Sequence, residues 1–248
     1  MIYDINGNPI GMGGSTDKGL PYLPTFGETT LIKHRGGNSA SDMVTAFSNG
    51  YKSVEGDVRF TSDAIPIMCH DTTIGGLTIS SNTLADLQEA TTIYTLDDWL
   101  TDCKKYNVLA EIDFTKTYTQ AQCEILVGKI KDHAMTNRCT VECYIDSSAM
   151  RLAAYADDLV LSVLGCRTTA IIDSLTDIAD ACRKIICVIP HDVASASLVA
   201  YAHKKGYLSR IWTNSTTDTV SVVENYLDMC VDFVLTDNVK PSDITPVT

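Results

Sequence analysis

The sequence predicts an α/β chain closed into a single (β/α)8 TIM barrel, and three observations carry that prediction. From Thr29 onward, short β-branched runs alternate with amphipathic stretches of helical length. About eight such runs occur, most of them followed by a helix, as a parallel barrel requires. No Gly-x-Gly-x-x-Gly opens a helix, so the phosphate fingerprint of a doubly wound open sheet is missing. Gly11-Met12-Gly13-Gly14 follows no long strand and does not supply it. At 248 residues the chain suits one large domain of this kind.

Residues 1–28 are rich in Gly, Pro, Thr and Asn, with Asn6-Gly7 as a turn signal, and read as a short N-terminal extension. The barrel domain is assigned to 29–248. Thr30 to His34 is the first strand, and Ala40 to Asn49 a helix with Met43, Val44 and Phe47 on one face. Ser53 to Phe60 is a strand; after a Ser62-Asp63 turn, Ile65 to His70 is another. Further strands are expected at Val108–Ile112, Cys139–Tyr144, Leu159–Val163, Ile185–Ile189, Ser209–Thr213 and Val231–Leu235. Helices are expected at Gln122–His133, Ala170–Cys182, Ala196–Lys205 and Val220–Cys230.

Apolar content of 45% and charged content of 20% are those of a globular core. A net charge of −12 argues against nucleic acid or an anionic membrane as the main partner. No run approaches the roughly 18 apolar residues of a membrane span. Met1 opens onto Tyr3-Asp4-Ile5-Asn6 with neither a basic nor an apolar leader region. The expected setting is cytoplasmic, or carriage on a larger assembly. The nine cysteines include Cys69, Cys139, Cys143, Cys187 and Cys230 in apolar runs, without zinc-knuckle spacing. They read as buried free thiols in a reducing compartment.

The chemistry concentrates in His34-Arg35-Gly36-Gly37, Glu55-Gly56-Asp57 and His70-Asp71, with Glu111 in Leu109-Ala110-Glu111-Ile112-Asp113. Glu55 and Asp57 are two apart on a strand and share a face, as do Glu111 and Asp113. His34 and His70 close their strands, so four strand ends offer polar groups to one mouth. Two imidazoles to move protons, carboxylates for a hard cation and an arginine for phosphate make a phosphodiester-cleaving set. A local cation would also reverse, within the site, the field of an acidic chain that repels phosphate. The remaining histidines read as structural: His133 and His203 on solvated helix faces, His191 in a turn or cap.

This order resembles the glycerophosphodiester phosphodiesterase family over roughly residues 29–240. The resemblance runs through its His-Arg-Gly opening, its Glu-x-Asp-Val strand, Thr61-Ser62-Asp63 with Pro66, and His70-Asp71. Leu96-Asp97-Asp98-Trp99-Leu100, Glu111-Ile112, Leu198 to Gly206, Trp212-Thr213 and Val231-Asp232 to Thr236-Asp237 extend it. Residues 120–185 match only in their strand-helix alternation. Three departures stand out. Ala40-Ser41-Asp42-Met43 replaces a Pro-Glu-Asn-Thr run, removing a carboxylate, and Asp113 replaces a lysine, with Lys116 near but off register. The stretch from His70 to Thr95 is short beside the family's, which implies a reduced cap insertion and an open cleft.

The resemblance implies metal-dependent hydrolysis of glycerophosphodiesters, within lipid metabolism or on glycerol-phosphate polymers such as teichoic acid. Glu55, Asp57 and Glu111 would hold one divalent cation, Mg²⁺ or Ca²⁺, since carboxylates favour a hard ion. His34 and His70 would act as general acid and base, in an order the sequence leaves open. Arg35 would clamp the phosphate. Trp212 would wall the pocket, and Asp113 would join the ion's shell or mark a decayed site. Two alternatives stand beside this one. One is a weakened barrel serving as a binding or structural module of an assembly such as a phage tail. The other is a sphingomyelinase-type phospholipase D, which would want an apolar entrance and a disulfide near the site.

Overall fold

The structure, a computed structural model, describes residues 29–145, 157–214 and 216–244, with Leu152 and Ala154 between them. The extension expected over 1–28 lies outside these residues. Eight parallel strands close into a barrel: β1 (Thr30–Lys33), β2 (Ser53–Phe60), β6 (Leu109–Asp113), β7 (Cys139–Tyr144), β8 (Val160–Leu164), β9 (Lys184–Pro190), β10 (Leu208–Trp212) and β11 (Phe233–Thr236). β1 pairs with β11 on one side and with β2 on the other, so this sheet has no free edge. The short β3 (Pro66–Met68) runs antiparallel along the outer end of β2. The small pairs β4 (Thr73–Ile74) and β5 (Leu77–Thr78) form a hairpin beyond it.

Alternation along each strand sorts the side chains into two sets. Val54, Ala110, Ile112, Val141, Leu161 and Ile185 point outward, into the main apolar core beneath the helices. Ile32, Leu109, Val160, Ile186, Leu208 and Phe233 point inward and fill the lower lumen as a second cluster. Above that apolar floor the inward positions turn polar, and Ser53, Glu55, Glu111, Thr140, Glu142, Ser162 and Arg210 are all buried. A packed floor under a charged middle layer forces ligands to enter from the carboxyl ends of the strands.

The described helices are α1 (Ala40–Ser48), α2 (Leu84–Ala90), α3 (Leu96–Tyr106), α4 (Gln120–Asp132), α5 (Thr169–Asp173), α6 (Thr176–Ala181), α7 (Ala196–Lys204) and α8 (Val220–Asp228). Threonine starts several of them, and Thr83, Thr95 and Thr119 each complete a capping box with the third helical residue. In α1 the buried residues are Met43 and Ala46. Val44 and Phe47, expected on the buried face, are exposed, with Phe47 lying 4.8 Å from the Tyr106 ring of α3. The single helix expected over Ala170–Cys182 is split into α5 and α6. There the Ser174 hydroxyl donates to Ile171 O at 2.7 Å, competing with the helical ladder.

Residues 70–95 form the reduced insertion, with α2 and a 3-10 turn (Ile79–Ser81) around a core of Ile67, Ile79, Leu87 and Ile93. The nine cysteines are free thiols. Most are buried as expected, while Cys230 is exposed, having a positive φ just past the end of α8. Among the described residues no helix is long and apolar enough to cross a membrane.

Candidate active site

The site grows from the turn after β1. Arg35 adopts φ 54°, a left-handed conformation uncommon for a side-chain-bearing residue. Its backbone N–H thereby reaches Glu55 Oε2 at 2.6 Å. Gly37 follows, donating to Glu55 O at 2.8 Å, and any Cβ there would enter the indole of buried Trp99. The glycine is therefore demanded by close approach, which locks the His34-Arg35-Gly36-Gly37 turn onto β2.

Along β2, Glu55 pairs in register with Glu111 of β6, and Asp57 with Asp113. The structure places the two rungs in different surroundings. On the upper rung Asp57 and Asp113 join Glu55, with one carboxylate oxygen of each lying within 4.8 Å of the others. On the lower rung Glu111 accepts hydrogen bonds from the Thr140 hydroxyl and from Arg210 Nη1, while Arg210 Nη2 donates to Glu142. Glu111, which the sequence reading grouped with Glu55 and Asp57, is thus engaged inside the lumen. Asp113 completes the cluster instead.

That trio fits a hard cation by its donor chemistry. The donors are all carboxylate oxygens, and each carboxylate turns one oxygen to a neutral orienting group. Glu55 takes the Arg35 N–H, Asp57 takes Asn38 Nδ2 at 2.9 Å, and Asp113 takes the Thr115 N–H and hydroxyl at 2.9 and 2.6 Å. Burial, then repulsion from Asp57, pushes the Glu55 carboxyl well above the ordinary range. Burial would raise Asp113 too, but its Thr115 hydrogen bonds and the nearby Lys116 ammonium bring it below the usual value. Glu142 is pushed up to about 7 by burial, against the pull of Arg210. Arg210 is held above its ordinary value despite burial, because Glu142 and Glu111 flank it.

Each histidine is oriented by a carboxylate. His34 Nδ1 lies 2.8 Å from Asp237 Oδ1, at the end of β11. His70 Nδ1 lies 2.8 Å from Asp71 Oδ1, and Arg59 Nε donates to the His70 carbonyl at 3.0 Å. Contacts through Nδ1 leave the outer ring nitrogen, Nε2, as the atom that can reach a substrate. His34, Glu55, Asp113, Arg210 and Trp212 line one cleft of about 540 Å³. His70 is not among its lining residues; its neighbour Cys69 donates its backbone N–H to Asp57 O at 2.8 Å. Arg35 is exposed beside His34, and its guanidinium makes no ion pair among the described residues. The far wall is apolar and aromatic, with Tyr144, Leu164, Pro190 and Trp212, and His191 sets its ring edge-on to Trp212 at 5.2 Å.

Sequence reasoning missed Glu142, Arg210 and Asp237. The first two occupy inward positions of Thr140-Val141-Glu142-Cys143-Tyr144 and Ser209-Arg210-Ile211-Trp212, a charge on the phase that faces the lumen. That phase was the available signal. Two other histidines are more engaged than solvated helix faces: His203 Nε2 lies 2.7 Å from buried Asp232, and His133 Nε2 lies 2.9 Å from Asp97.

The sequence model of the glycerophosphoryl diester phosphodiesterase family matches residues 33–240. Glycerophosphodiester phosphodiesterase 1 of Rattus norvegicus is 36% identical over 76 residues, 28% of this chain and 23% of that protein. The human protein of that name gives the same identity over the same length. The matched stretch therefore spans about a quarter of these relatives. Among solved structures, an Oleispira antarctica phosphodiesterase in complex with the product sn-glycerol-3-phosphate superposes with a TM-score of 0.68 at 18% identity, covering 87% of this chain and 93% of that one. A Parabacteroides distasonis glycerophosphodiester phosphodiesterase gives 0.68 at 22% identity, covering 85% and 93%. At these identities the structural likeness speaks for the fold.

Proposed function

Because the chain belongs to the glycerophosphoryl diester phosphodiesterase family over residues 33–240, we propose that it hydrolyses glycerophosphodiesters with the help of one divalent cation. The observation that carries this reading is that His34 lines the same cleft as Glu55 and Asp113, two members of a three-carboxylate cluster. Glu55, Asp57 and Asp113 would hold the ion, Mg²⁺ or Ca²⁺ by donor type. When bound, it supplies charge neutralisation for the phosphoryl oxygens.

The protein's own groups account for the rest. His34 and His70 serve as the proton-moving pair, one accepting a proton from the attacking hydroxyl and the other giving one to the leaving alkoxide. Asp237 and Asp71 hold the two rings by Nδ1. Arg35, exposed next to His34 and without an ion pair among the described residues, would take the phosphate, and Trp212 would bound the pocket. The attacking hydroxyl belongs to water or to the adjacent glycerol. A short insertion over residues 70–95 suits a cleft open enough for a glycerol-phosphate polymer as well as a small diester.

A panel of glycerophosphodiesters and a glycerol-phosphate polymer, incubated with and without divalent ions, tests the reading. Ion-dependent appearance of a phosphomonoester from at least one member supports it. Uptake of a diester without turnover on any member would favour the binding-module alternative.

A further inference from the structure

The loop that follows β6 carries a cation over the acidic trio. Phe114 and Tyr118 stack at 3.7 Å with an interplanar angle of 12°, and both pack edge-on against Phe60. Tyr118 also donates its hydroxyl to Val58 O at 2.6 Å. The loop is thereby pinned at both ends, and residues 115–117 arch between the pins. From that arch Lys116 Nζ reaches to 3.6 Å from Asp57 Oδ1 and 3.8 Å from Asp113 Oδ2.

These separations exceed hydrogen-bond length. Charge holds the ammonium there, without coordination of the kind a metal makes at roughly 2.0–2.6 Å. We propose that Lys116 is a resident counter-ion of the Glu55–Asp57–Asp113 cluster, one that an incoming divalent ion must displace. The proposal rests on the reading that this cluster takes an ion, and it adds what sets the affinity. Two cations cannot share the same carboxylate oxygens without strong repulsion, so Lys116 and the ion compete. Without the ion, Lys116 offsets the repulsion among three closely set acids. With the ion bound, the side chain, about one-third exposed, swings toward solvent. Because long flexible lysines reorient readily, the exchange needs no movement of the barrel.

Calorimetric titration of wild type, Lys116→Met, Lys116→Gln and Lys116→Arg with CaCl2 and MgCl2 tests this. Loss of the charge in Lys116→Met and Lys116→Gln is expected to tighten ion binding by about fivefold or more. Lys116→Arg, which keeps the charge, should stay within about twofold of wild type. In thermal melts the two neutral variants should be less stable than wild type without ion and recover fully at saturating ion. Unchanged or weaker ion binding in both neutral variants, with wild type binding normally, would overturn the counter-ion role. Failure of wild type to take up either ion would instead overturn the underlying metal reading, and the inference with it.

Discussion

Arg210 and Glu111 meet inside the barrel lumen, guanidinium Nη1 donating to carboxylate Oε1, with both side chains essentially sealed from solvent. The pair couples β10 to β6 across the axis. It also separates two in-register glutamates, leaving Glu55 at the acidic cluster and drawing Glu111 into the lumen. Arg210 Nε is buried and has no hydrogen-bond partner among the described residues.

This division of labour predicts unequal roles for the acids of β6. Asp113→Asn should weaken divalent-ion binding by about tenfold or more, in line with loss of a ligand. Glu111→Gln should change ion affinity much less, yet destabilise the fold by a few kcal/mol, roughly 3–5 for breaking one side of a buried pair. Calorimetry for the ion and urea unfolding for stability separate the two. A larger ion defect in Glu111→Gln than in Asp113→Asn would return Glu111 to the ligand set.

Much of this was legible in the sequence, for a physical reason. The strand alternation, the turn that carries His34 and the shared face of Glu55 and Asp57 on β2 are local patterns, and local patterns survive in one dimension. The partners of those residues are not local. Arg210 lies 99 residues from Glu111 and 68 from Glu142, and Asp237 lies 203 from His34. Barrel closure alone brings them together. The same limit applies to Glu111: the strand face it shares with Asp113 was visible, but the arginine that pairs with it was not.

Glu142 predicts a pH signature. Its carboxyl titrates near pH 7 in the fold against an ordinary value of 4.5. A raised carboxyl pKa means that the folded state holds the proton more tightly than the unfolded chain. Its contribution is therefore fully present below about pH 4.5 and lost as pH climbs through about 7. Ion-free protein should lose stability over that interval, and Glu142→Gln should lack that part of the slope. Urea midpoints measured from pH 4.5 to 8 check it; identical slopes in both proteins would exclude Glu142 as the source.

Gly37 predicts a packing defect that reaches the site. The Cβ of Gly37→Ala would enter the Trp99 indole, and overpacking of a filled core costs about 1–3 kcal/mol. Because Gly37 N–H anchors the turn to Glu55 O, ion affinity should fall along with the melting temperature. A variant with unaltered melting and ion binding would show that the turn has slack the structure does not.

The central claim, ion-dependent diester hydrolysis by two oriented histidines, is tested most directly by turnover in chelated and ion-reconstituted protein. Wild type, His34→Ala and His70→Ala are compared on the best diester of the panel. Wild-type turnover should vanish on chelation and return with Mg²⁺ or Ca²⁺. Each histidine variant should turn over at least about 10²-fold more slowly, with unaltered folding and ion uptake. The double variant should be little slower than either single one, since both groups act in one step. Turnover that survives chelation would exclude the ion, and a histidine variant that keeps near wild-type rate would exclude the two-histidine mechanism.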